Sequence, residues 1–241
     1  MKKSVLLGTR LLGGAAFLVP VLAALAFLSC CSRGEKAGEK SASPEEAPGK
    51  AGETGDEGYQ RLRTSLRPLL EKKESVRPGW IYKTLAPGLV ETYVVDRRGT
   101  FDRVTKSTLK RWGISEKKLD EETLAWFTVA VDPLNFRVFQ KDKKPDSPKV
   151  AHPDLHGIYT ASLIIHPSFK EGLKRIFGRW EGLLIAIPSQ NRCWVLSAGE
   201  KELRKKLKKE LEQEFKTSAH PLMGRYLATK KGGGYEPGPP F

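Results

Sequence analysis

His152, Asp154 and His156 fall within the five-residue run His-Pro-Asp-Leu-His, and two imidazoles with a carboxylate are ligands that zinc accepts. Pro148 and Pro153 place the run in a loop, where the one-turn spacing of a helix is not available to bring both rings onto one ion; a polar loop is the competing reading. Ser162 and His166 pair a hydroxyl with a base four residues apart. On the extended segment expected there they share a face but stand about 13 Å apart, too far for proton transfer between them. Cys193, inside Arg-Cys-Trp-Val-Leu, has no activating neighbour and reads as a buried strand residue rather than a nucleophile. The chain contains no G-x-S-x-G, H-E-x-x-H, G-x-G-x-x-G or phosphate-loop pattern, so no catalytic residue and no cofactor is assigned.

The remaining two cysteines, Cys30 and Cys31, end the longest apolar run. Lys2, Lys3 and Arg10 precede eighteen uncharged residues, 11–28, the organisation of a secretory leader. As a helix this run measures about 27 Å, close to the hydrocarbon thickness, so an uncleaved anchor is the alternative. Phe27-Leu28-Ser29-Cys30 resembles the bacterial lipobox, which implies an acylated Cys30, with Cys31 as the alternative attachment point. Residues 32–58 hold no aromatic and no branched aliphatic side chain. Such a segment cannot bury enough surface to offset its ordering entropy, and as a coil it spans roughly 25–30 Å. The expected organisation is a signal peptide over 1–29, a lipid anchor and flexible linker over 30–58, a folded domain over 59–228 and a flexible tail over 229–241.

The domain must hold its side chains with helices and hairpins whose signals are local. Leu62, Leu66, Leu69 and Leu70 have helical spacing within 59–74, with a kink at Pro68. Residues 89–95 and 100–105 read as a hairpin turning at 96–99. Thr105 caps a helix closed by Gly113, and Ser115 caps a second carrying Leu119, Leu124, Phe127 and Val131, which Asp132-Pro133 ends. Strands are expected at 136–140 and 158–165, and a helix from Pro167 to Gly178. A hairpin over 182–198 and a helix with Leu203, Leu207, Leu211 and Phe215 complete the pattern. The fold class is α+β: two hairpin-containing halves, ββαα then ββαββα, in one mixed, largely antiparallel domain.

The stretch VTKSTLKRWGISEKKL (104–119), Tyr159-Thr160-Ala161-Ser162-Leu163, Leu184-Ile185-Ala186-Ile187-Pro188 and His220-Pro221-Leu222-Met223 together resemble the YtpQ-like family of bacterial proteins, over about residues 62–227. That family has no known function, so the resemblance implies a fold and no catalytic residue. Ala125-Trp126-Phe127-Thr128 departs from its pattern, which has an Asn-Leu pair there.

The formal charge is +14; the leader contributes +3 and residues 30–58 −3, so residues 59–241 carry the whole excess. A basic domain attracts polyanions. With a tether to the membrane, through a lipid or an uncleaved helix, this predicts an exported, membrane-anchored lipoprotein whose domain binds an envelope protein or an anionic polymer without catalysis. Nucleic acid matches the charge, but export removes the usual substrate. The alternative is an envelope enzyme, metal-dependent through His152, Asp154 and His156. No signal for an oligomeric state is present.

Overall fold

Pro68 decides the first element. A helix through residue 68 would lose a backbone hydrogen bond and clash with the preceding turn, and in the computed structural model the helix stops short of it. The structure describes residues 55–241 except 98, 99, 141, 143, 145, 146, 156 and 158. The leader, Cys30, Cys31, almost all of the linker and His156 lie outside the described residues.

Helix α1 (Asp56–Leu62) gives way through a 3-10 turn to strand β1 (Leu66–Lys72), correcting the helix expected over 59–74. Leu66, Leu69 and Leu70 mimic helical spacing because both faces of β1 are buried. β1 pairs along β3 (Leu89–Asp96), whose other edge is shared by β2 (Tyr82–Ala86) and β4 (Phe101–Arg103). The Leu70 amide and carbonyl face away from β3, toward Ser162 Oγ (3.2 Å) and Gln190 Nε2 (3.0 Å). Pro68, two residues earlier, turns its missing N–H to that same outer edge, where a strand tolerates proline.

Helices α2 (Lys106–Trp112) and α3 (Glu116–Val131) form as the caps predict. Thr105 Oγ1 accepts from the Thr108 amide, Ser115 Oγ from the Lys118 amide, and Gly113 closes α2 at φ 68°. Leu109, Trp112 and Leu119 pack with Leu66, Ile81, Tyr93 and Val95 of this first sheet.

The second sheet contains β5 (Phe136–Gln140), β6 (Lys149–Pro153), β7 (Leu183–Ala186), β8 (Trp194–Ser197), β9 (Arg225–Thr229) and β10 (Tyr235–Pro240). Its order is β10-β9-β7-β8-β6-β5, antiparallel throughout. Alternation along the strands separates two cores. Ala151, Leu183, Ile185, Val195 and Leu227 meet Phe169 and Leu173 of α4 (Pro167–Phe177). Val150, Leu184, Leu196 and Tyr226 meet Leu207 and Leu211 of α5 (Lys201–Thr217).

The molecule is an α+β protein, as expected, with element order αββββαα then ββαββαββ. Three further expectations are corrected. Residues 161–165 form a buried 3-10 turn rather than a strand; the strand lies at 149–153, within the region read as a loop because of its prolines. Pro153 is accommodated as the last residue of β6. The segment 229–241, expected to be a flexible tail, supplies β10, and Phe241 is buried edge-on against Tyr226 with centroids 5.1 Å apart. The two sheets share one core, in which Leu70 and Leu89 of the first join Phe127, Leu163, Ile185 and Val195.

Candidate functional site

The structure disperses the residues whose types suggested chemistry. His152 lies on β6 with its ring stacked between Phe139 (5.5 Å, 16°) and Trp194 (6.1 Å, 29°). Asp154 is committed to Arg137, with Oδ1 at 2.6 Å from the guanidinium Nε. His156 is outside the described residues, and among those described no three His, Cys, Asp or Glu side chains form a metal-binding group. Ser162 and His166 do not share a strand. Ser162 accepts the Leu70 amide, while His166 caps α4, Nδ1 accepting from the Ser168 amide at 3.1 Å. That bond leaves the proton of the neutral ring on Nε2, and burial holds the imidazole below its usual range. Cys193 is 1% exposed, and burial pushes its thiol far up. It is a core residue, not a thiolate.

A cleft of about 670 Å³ does gather charge, from three separate segments. Lys170 and Lys174 are one helical turn apart on α4, so they project from the same face. Arg179 and Trp180 follow the Gly178 cap, where a left-handed φ of 71° turns the chain back to the sheet. Gly232 comes from the β9–β10 turn, three successive glycines at positive φ, which only glycine adopts at low cost. The Lys170 ammonium stands 5.7 Å over the Trp180 ring. Trp180 is 6% exposed, packs edge-on against Tyr235, and belongs to the main core. Its carbonyl accepts from Thr229 Oγ1 at 2.6 Å, and Thr229 Oγ1 in turn accepts the Leu183 amide. The loop that presents Arg179 is thereby fixed to β9.

Three cations line this cleft against one acid, Glu181. Lys174 is partly neutralised by Glu171 at 2.8 Å, and that bond holds the Glu171 carboxyl below its usual range. Arg179 donates to Ser197 Oγ at 2.7 Å, a neutral partner that leaves its charge uncompensated. The arrangement contains no nucleophile paired with a base; what it can do is hold an anion beside an aromatic wall.

Two polar clusters, each around a buried glutamate, lie elsewhere, on opposite faces of the first sheet. Under α3, Asp120 accepts from Tyr93 Oη and from Lys83 Nζ, each at 2.9 Å. Glu91, 4% exposed on the same face, is pushed up to about 7 by burial and then by the Asp120 charge, with Lys83 opposing. On the other face, Arg103 Nη2 meets Glu71 Oε1 at 2.5 Å, and Arg103 Nη1 donates to Thr92 at 3.1 Å. Burial still raises the Glu71 carboxyl, outweighing the guanidinium. Neither cluster opens into the cleft, and both read as polar ties within the fold.

Sequence reasoning missed the cleft because its residues are 62 positions apart at the extremes. The available signal was the Lys170/Lys174 spacing together with Lys-Lys-Gly-Gly-Gly at 230–234, which reads equally as a mobile tail. Comparison with family models, with curated proteins and with solved structures returned no match.

Proposed function

We propose that this protein is a membrane-tethered, non-enzymatic binding module that takes an anionic group of an envelope polymer or envelope protein into the cleft between α4 and the β9–β10 turn. The observation that carries this reading is the convergence of Lys170, Lys174 and Arg179 on one cavity, against a single carboxylate. The basic balance of the chain supports it by concentrating polyanions near the surface. The tether rests on the leader pattern and on Cys30 in its lipobox-like setting. In the metal-dependent alternative Arg137 would compete with the ion for Asp154, and the resemblance to the YtpQ-like family adds no activity.

The test is retention of the detergent-solubilised full chain on immobilised heparin. The double variant Lys170→Ala/Arg179→Ala is expected to weaken binding about tenfold, equivalent to about 1.4 kcal/mol. Lys205→Ala/Lys206→Ala on α5, which removes the same charge outside the cleft, is expected to have a much smaller effect. Equal losses from both pairs would show that charge alone, and not the cleft, holds the polymer.

A further inference from the structure

The second sheet has two unlike ends. β10, at one, carries Pro237, Pro239 and Pro240 in its six residues, and proline denies hydrogen bonds to any strand that approaches. β5, at the other, is Phe-Arg-Val-Phe-Gln with no proline, glycine or lysine. Among the described residues it is flanked by β6 only, and Val138 and Phe139 are 41% and 48% exposed. The Asp154 amide donates to the Asn135 carbonyl at 2.8 Å, so the backbone groups of Arg137 and Phe139 also face β6. By alternation those of Phe136, Val138 and Gln140 face outward, where no strand of the described residues meets them.

We infer that β5 is the contact strand of a symmetric dimer, pairing antiparallel with β5 of a second copy about Val138. The sequence is self-complementary in that register. Val138 meets its own counterpart as a hydrogen-bonded pair, and Phe136 meets Gln140 twice. Arg137 of each copy stands opposite Phe139 of the other, in the non-hydrogen-bonded position where side chains come closest. On this face Phe139, His152 and Trp194 form a column of stacked rings that ends, half-exposed, at Phe139. A guanidinium laid on that ring extends the column. Arg137 brings no unpaired charge into the contact, because Asp154 already accompanies it. A twofold axis through Val138 satisfies both copies with the same surface.

The positive charge of each copy opposes this pairing, so it strengthens as salt rises, whereas retention on a polyanion weakens. The opposite signs separate this inference from the anion-binding reading. Sedimentation equilibrium of the full chain in density-matched neutral detergent reads the protein mass directly. The expected result is a doubling of mass with concentration, reached at lower concentration in high salt. Val138→Pro removes an outward N–H and leaves the β5–β6 bonds intact; it is expected to give the monomer mass, while Val138→Thr retains the dimer. Phe139→Lys, which sets lysine opposite arginine at an exposed position, is the second variant, should Val138→Pro fail to fold, and is also expected to be monomeric. A wild-type chain that stays monomeric at every salt concentration, or a dimer that survives both Val138→Pro and Phe139→Lys, overturns the inference.

Discussion

Glu91 is a carboxylate in a strand otherwise suited to a core, and its consequence is a pH dependence of sign opposite to ordinary acid denaturation. Its folded value of about 7 lies above the ordinary 4.5. Between these values the folded chain binds more protons than the unfolded one, so stability is fully present below pH 4.5 and falls as pH rises toward 7. The full loss is on the order of 3 kcal/mol. Glu91→Gln is expected to remove most of that slope and raise the melting temperature at pH 7.5, while Lys83 and Asp120 keep their mutual bond; thermal melts at pH 4.5, 6 and 7.5 check this, and an unchanged slope would reassign it to Glu71 or Glu210, also raised by burial. Ser162 has a different burden. It is the partner of the buried Leu70 amide, so Ser162→Ala is expected to cost about 1–3 kcal/mol in urea unfolding.

At the scale of elements, β10 is held by more than its ladder. Phe241 fills the space beneath α5 against Tyr226, and Lys208 donates to the Phe241 carbonyl. Phe241→Ala is expected to destabilise the fold by about 3–5 kcal/mol, measured by chemical denaturation; a loss below 1 kcal/mol would mean that β10 is an appendage. The elements legible in the sequence are those whose start, period and stop are local. Thr105, Ser115, Pro167, Gly113 and Gly178 stand where the caps predict, and the β3–β4 and β7–β8 hairpins follow from short apolar runs around turns. β1 was hidden by leucines whose spacing mimics a helix, and β6 and β10 by prolines, which are tolerated because of what lies on each strand's outer side or at its end. A tertiary arrangement of that kind leaves no trace in spacing. The candidate cleft was illegible for the same reason: the Lys170/Lys174 spacing marks a helix face, and only the fold brings Arg179 and Gly232 to it.

For the whole molecule, charge and edge chemistry act in opposite senses. The excess of +14 sets copies of the domain against one another and, on the proposed reading, attracts polyanions, one of which would screen the repulsion between two copies that it spans. Titration of the full chain with heparin is therefore expected to raise the dimer fraction at low salt, then reverse when polymer is in excess and each copy occupies its own chain; light scattering reads both limbs. The unequal ends of the second sheet also set a valency. With proline at one end and open backbone at the other, the second sheet is monofunctional: one join uses its open end, and the joined sheet has a proline-bearing strand at each end. Chain growth terminates at a pair. An exposed strand edge, ordinarily the seed of an unbounded cross-β polymer, is thereby reduced to a stoichiometric fastener, and the three prolines of β10 are its stop.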